Sequence, residues 1–572
     1  MTHTPRRWCE PLAAAVVLLA AAQGQAQDRV SETVHNLSVG GPGAVRAVGE
    51  GQVCIFCHAP HNTGGVRPLW NRELPLVSYE IYRSSTLDAK PGQPTGASKL
   101  CLSCHDGTIA LGSVLSRTDR IRMVGGEYMP SGLTNLGTDL SDDHPVSFHF
   151  TSGLAASDRQ LVSPRGLQSE IRLDDAGQLQ CTSCHDPHRN LYGQFLVMPN
   201  EFGLLCTACH AMWGWASSSH RTSGATVMTA RTGDWPYGTV AGNACRSCHR
   251  PHAAGGRERL LIHEAEEENC LSCHDGQVAR TDIRAEIDKL SAHDPRRYQG
   301  IHDPVETLSG ARRHVECADC HNPHAGQPPL RTRAYVSIGP TMDKVPGVTS
   351  GGGQIDEARH EYEVCFRCHG DSAAPTSRRI IRQVQQANLR LRFSPLNPSY
   401  HPVVEAVRER ETVSLMPGMA EGSLIRCTDC HNNDTGPRAE GGGPDGPHGS
   451  RYDYLLERNY TVLDDTVEST QAYALCYKCH QRTSILSDRS FSLHRLHVVD
   501  ERTPCSACHD PHGISGTRSF DSDHTHLINF DTIIVQPEPG SRRMEFRDLG
   551  SRSGSCTLLC HGVTHNELAY AP

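Results

Sequence analysis

Cys181-Thr182-Ser183-Cys184-His185-Asp186-Pro187-His188, followed after seventeen residues by Cys206-Thr207-Ala208-Cys209-His210, decides how this chain is read. The arrangement recurs, with the same gap, as Cys245-Arg246-Ser247-Cys248-His249-Arg250-Pro251-His252 and then Cys270-Leu271-Ser272-Cys273-His274. Two cysteines separated by two residues, with histidine directly after the second, form the attachment signature of c-type haem. Both thiols form thioethers with the porphyrin vinyl groups, and the adjacent imidazole coordinates the iron from one face.

The pattern fills the sequence. Of 25 cysteines, 24 fall into twelve such pairs. The thioether positions are Cys54 and Cys57, Cys101 and Cys104, Cys181 and Cys184, Cys206 and Cys209, Cys245 and Cys248, Cys270 and Cys273, Cys317 and Cys320, Cys365 and Cys368, Cys427 and Cys430, Cys476 and Cys479, and Cys505 and Cys508. The twelfth pair, Cys556 and Cys560, is stretched by one residue. The proximal iron ligands are then His58, His105, His185, His210, His249, His274, His321, His369, His431, His480, His509 and His561. Structural zinc would use cysteine pairs without needing a histidine after each, and a disulfide framework would not need one either. The pattern predicts twelve covalent haems c and no dedicated catalytic residue.

Residues 1–26 read as a secretory leader, with Arg6 and Arg7 before a short apolar run and small residues at Gly24 and Ala26. The run is too short to span a bilayer, and no later stretch is apolar enough. This predicts an exported chain of the periplasm or cell surface. Large side chains are scarce (11 Phe, 5 Trp, 15 Tyr), while Gly and Pro number 52 and 35. Such a composition makes a poor protein core. Burying twelve flat apolar porphyrins supplies the missing driving force. The expected fold is therefore mostly irregular and haem-packed, with short helices at the motifs and little sheet; residues 378–392 are the clearest helix candidate elsewhere. The net charge of −9 argues against nucleic acid, which favours basic partners.

Motif spacing divides the mature chain into residues 27–155 with haems 1–2, 156–290 with haems 3–6, 291–415 with haems 7–8 and 416–572 with haems 9–12. Each iron needs a sixth ligand unless it binds substrate. Thirty-four histidines, less twelve in motifs and His3 in the leader, leave 21. Five stand three residues after a proximal ligand in the form Cys-His-x-Pro-His: His61, His188, His252, His324 and His512. A proline in between breaks the helix, so the second histidine is expected to reach another haem. With His314, three residues before Cys317, and His35, His144, His220, His401, His494 and His497, they make the preferred dozen distal ligands. His263, His302, His526 and His565 stand in reserve.

His35-Asn36-Leu37-Ser38-Val39, Cys54-Ile55-Phe56-Cys57-His58-Ala59-Pro60-His61-Asn62, Pro68-Leu69-Trp70-Asn71-Arg72 and Asp143-His144-Pro145-Val146-Ser147 resemble the outer-surface and periplasmic multihaem c-type cytochromes of metal-reducing bacteria. Arg495-Leu496-His497-Val498 and His526-Leu527-Ile528-Asn529-Phe530-Asp531 resemble the same doubled C-x-x-C-H group, which includes filament-forming nanowire cytochromes. The resemblance implies an electron carrier in metal or electrode reduction, either as a filament homopolymer or with an outer-membrane porin conduit. Its partners would be other redox proteins or extracellular acceptors. It also implies His35, His61, His144 and His497 as distal ligands. The rival reading is a multihaem reductase of a nitrogen or sulfur oxyanion, which needs one open haem. Several such families mark that iron by lysine in place of the motif histidine, and no motif here ends in lysine.

Overall fold

The computed structural model describes residues 27–61, 69–227, 235–256, 258–298, 302–303, 306, 313–326, 338–372, 379–407, 412–420, 422–515 and 522–572. The leader assigned to residues 1–26 lies outside them. Regular structure comes in short pieces. Among the described residues only two helices exceed seven residues, Gly96–His105 and Glu361–His369, and each ends on a haem motif. Both have apolar residues that pack inward, Leu100 and Leu102 in one, Val364 and Phe366 in the other. The second also starts on a capping interaction, in which the Glu363 carboxylate accepts the backbone N–H groups of Arg359 and His360.

Most other motifs wind a single turn, such as Cys181–Ser183, Cys317–Cys320 and Cys505–Cys508. In five of the twelve a proline stands two residues after the motif histidine. Proline lacks the N–H a helix would need, and its ring pushes the residue before it out of helical conformation. The turn therefore stops at the histidine.

Residues 378–392 do not form the expected helix, although Arg378 itself lies outside the described residues. Only Leu389–Arg392 is helical, capped by the Asn388 side chain. Upstream, Arg382 pairs with Asp531 and donates to the carbonyls of Ser506, Asn529 and His509. Val384 bonds the Asn529 side chain. These bonds to the eleventh motif replace the i to i−4 ladder.

Sheet is confined to two-residue pairs until the C terminus. There Ser553–Cys560 lies between Val563–Tyr570 on one side and Val535–Gln536 and Glu545–Gly550 on the other, all antiparallel. The twelfth motif is thus on a strand and not on a short helix. Leu558, between its cysteines, packs with Phe530, Val535, Phe546 and Ala507 in the largest apolar cluster. His561 (φ 48°) and Gly562 (φ 77°) form the turn to the next strand; positive φ at both central residues is the tight hairpin geometry.

No single core holds the chain together. The buried apolar residues fall into ten small clusters of three to five, strung along the sequence. Polar ties do much of the joining. Buried Arg72 donates to the carbonyls of Ser103, Ala110, Leu111 and Ser113, fixing the end of the second motif. Ser291–Ala292 pairs with Gly449–Ser450, and Lys289 reaches Asp434 at 2.8 Å.

Candidate haem-ligand pairs

Each of four motif histidines is anchored in one recurring way. A bridge joins its backbone to an apolar residue on an outlying segment: His185 to Leu196, His249 to Leu261, His431 to Leu456 and His509 to Ile528. Two residues before that bridge a carbonyl accepts the histidine Nδ1–H. The acceptors are Gln194 and Arg259 at 2.8 Å, Tyr454 at 2.7 Å and His526 at 2.9 Å. In all four cases the acceptor and the residue after it have positive φ, as in Gln194 (51°) and Phe195 (59°). Left-handed backbone at non-glycine residues costs energy and persists where the surroundings enforce it. Here it aims a carbonyl at the ring. With Nδ1 committed as donor, Nε2 keeps its lone pair for a metal.

The rings so oriented face second histidines across a constant gap. An imidazole nitrogen about 2 Å from a metal on either side, with about 1.1 Å more from nitrogen to ring centre, predicts centroids about 6.2 Å apart. The observed pairs are His35–His105 (6.2 Å), His58–His188 (6.1 Å), His144–His210 (6.3 Å), His185–His252 (6.2 Å), His220–His274 (6.1 Å) and His249–His324 (6.2 Å). They continue with His293–His369 (6.2 Å), His321–His448 (5.9 Å), His431–His512 (5.9 Å), His494–His509 (6.4 Å) and His497–His565 (6.4 Å). Ordinary stacking is closer, as in His35 on Phe195 at 4.0 Å. His401 neighbours His480, whose Nδ1 lies 3.0 Å from Ser414 Oγ. The residues fit a bis-histidine iron at each pair.

Burial favours the neutral form, which a metal ligand needs, at many of these rings. In the eight that follow it is the first cause, with neighbouring imidazoles adding to it. His210, His274, His480 and His509 are pushed down to about 4, and His324, His369, His448 and His494 to about 3.

The second histidines follow a rule. His188 faces His58 and not its own His185, His252 faces His185, His324 faces His249, and His512 faces His431. Each of these four Cys-His-x-Pro-His histidines thus faces the motif two positions earlier. The carbonyl of the proline before it holds the next site. Pro187 accepts from His35 Nδ1, Pro323 from His220 and Pro511 from His401, while Pro251 accepts the backbone N–H of His144. Sites therefore come in pairs, one odd and one even, locked by one Pro-His step.

Among the described residues, two of the preferred distal histidines are not seen opposite a motif histidine. His314 stacks on Tyr298 at 4.1 Å with Nε2 3.3 Å from Glu306. His61 is exposed beside residues 62–68, and no described ring pair contains it. A motif two positions before the first does not exist in this sequence, which is why the rule leaves His61 over. His293 and His448 stand opposite the eighth and seventh motifs instead, and sequence reasoning missed both. Their signal was present: Pro447-His448 is the same Pro-His step without a neighbouring cysteine pair. The Pro447 carbonyl again holds the partner site, here His293. Among the reserves, His302 lies against Glu316 at 3.0 Å and His526 against Asp548 at 3.2 Å, while His565 joins His497. His561 lies opposite no histidine ring among the described residues; its Nε2 is 3.0 Å from Asp464.

The thiols show how the sites are ordered. Within odd-even pairs the second cysteines are neighbours: Cys57 with Cys104, Cys184 with Cys209, Cys248 with Cys273, Cys320 with Cys368 and Cys430 with Cys479. Between pairs the first cysteines meet: Cys101 with Cys181, Cys206 with Cys245, Cys270 with Cys317, Cys365 with Cys427 and Cys476 with Cys505. Cys508 neighbours Cys556 and Cys560. The cysteine pairs of the twelve motifs thereby neighbour one another in sequence order.

Among known families, the doubled CXXCH motif matches residues 175–212 and 238–279, the stretches that hold motifs three to six. This is the haem-attachment arrangement of multihaem c-type cytochromes. No curated protein matches the chain.

Proposed function

We propose that this chain is a dodecahaem c-type cytochrome that conducts electrons along its file of haems, exported to the periplasm or cell surface. The observation that carries the reading is the recurrence of imidazole pairs 5.9–6.4 Å apart in a chain whose cysteines neighbour those of the next motif. Haem, once attached, supplies a one-electron iron couple. The chain's own residues do the rest. Carbonyls orient most of the imidazoles, and the paired histidines would hold an iron between them. The neighbouring cysteines of successive motifs would hold attached haems close to one another. No described helix is long and apolar enough to cross a membrane.

The resemblance to cytochromes of metal-reducing bacteria extends the proposal to a role in metal or electrode reduction, with the chain as a filament subunit or the partner of a porin conduit. Stopped-flow spectroscopy tests the conduit. All twelve haems, once reduced, should reoxidise with chelated ferric iron, and cyanide or nitrite should leave the spectrum unchanged. A haem that binds cyanide and turns over nitrite would establish the reductase reading instead.

A further inference from the structure

The twelfth motif departs from the other eleven, and the departure assigns a ligand. In those eleven the histidine after the second cysteine faces the site. Cys556 and Cys560 instead lie spread along a strand, both beside Cys508 of the preceding motif. His561 begins the hairpin turn at φ 48°, where its ring points to Asp464. Its Nε2, the atom a haem iron would need, is 3.0 and 3.1 Å from the two carboxylate oxygens.

Across the hairpin, His565 is the antiparallel partner of Leu558, midway between the two cysteines. Cross-strand partners project to the same face of a sheet, and alternate residues along a strand share a face. Leu558 shares its face with the cysteines on either side of it, so His565 stands between the two attachment points. Its ring faces that of His497 at 6.4 Å and 32°, inside the range of the other pairs. The His497 Nδ1 donates to the Leu493 carbonyl at 2.8 Å, which leaves its Nε2 for a metal as elsewhere.

We propose that the iron of the twelfth haem is held by His565 and His497, and that His561 is not an iron ligand but closes the hairpin on Asp464. The proposal rests on the haem reading of the twelve motifs but not on the conduit function.

The test uses the full-length holoprotein matured in its secretion host, with the haem count of each variant read by intact mass. His565→Ala should produce one high-spin ferric iron in twelve by electron paramagnetic resonance, with twelve haems still attached. His565→Met should keep that iron low-spin and add the sulfur-to-iron charge-transfer band of a histidine–methionine haem. That second variant keeps the ligand in place should the alanine variant misfold. His561→Ala should add no high-spin signal. A low-spin twelfth haem in His565→Ala, or the methionine band in His561→Met and not in His565→Met, overturns the assignment. Failure here leaves the reoxidation by ferric iron unaffected, so the two readings fail separately.

Discussion

Replacing His324 with alanine tests cross-ligation at a site where its consequences separate cleanly. His324 follows the seventh motif, yet its ring stands 6.2 Å from His249 of the fifth, nearly parallel at 11°. Cys245, Cys248 and His249 still hold the fifth haem in the variant, so the mass should show twelve haems. One iron in twelve, about 8 % of the total, should turn high-spin. The bond from His324 to that iron also closes a loop of about 75 residues; treated as a cross-link, its loss costs up to roughly 4 kcal/mol of loop-closure entropy. Thermal unfolding followed by haem absorbance should therefore begin earlier in the variant. The reasoning is refuted if His324→Ala remains wholly low-spin.

The ring planes are nearly parallel at some sites and strongly crossed at others, with the third and eleventh between them at 39°, and spectroscopy should see the two extremes. Odd sites one, five, seven and nine have interplanar angles of 17°, 11°, 10° and 12°, whereas even sites two, four, six and eight have 69°, 79°, 87° and 51°. Electron paramagnetic resonance of the oxidised protein should show both rhombic and strongly anisotropic low-spin signals, and one uniform rhombic class would contradict these geometries. At the third site His252 donates to the buried Asp143 carboxylate at 2.9 Å, where most sites use a neutral carbonyl. Asp143→Asn should raise that haem's potential by roughly 40 mV, taking about 1 kcal/mol for the lost charge on the hydrogen bond; spectroelectrochemistry that finds no component shifted upward counts against it. Burial works against the charged form of His302, but hydrogen bonding to Asp319 and Glu316 outweighs it and holds the group at about 9. A raised folded pKa gives stability that is fully present below about 6.5 and is lost as pH rises through about 9. Hydrogen exchange of residues 313–319 should accelerate across that window, and Glu316→Gln should flatten the dependence.

Much of this was legible in the residues themselves. C-x-x-C-H is a local chemical pattern, and the scarcity of large apolar side chains already excluded an ordinary core. The Cys-His-x-Pro-His step also announced cross-ligation, because proline stops the helix and sends the next histidine away. What the sequence hid was non-local. His293 and His448 meet their motifs only because Ser291–Ala292 pairs with Gly449–Ser450, a contact across more than 150 residues that no spacing encodes. Residues 378–392 have apolar positions at helical spacing, yet Arg382 finds better hydrogen-bond acceptors in the eleventh motif than in its own helix. At the twelfth motif one inserted residue changed the local conformation from turn to strand and moved the facing histidine four positions along.

A cryo-electron microscopy map of the matured holoprotein tests the central claim most directly. The account predicts twelve porphyrins in one unbranched file, in the order of their motifs from Cys54 to Cys560. Each iron should lie between two imidazoles, with His188, His252, His324 and His512 each bound two motifs upstream. A branched or interrupted file, or any of those four histidines on the haem of its own motif, would contradict it.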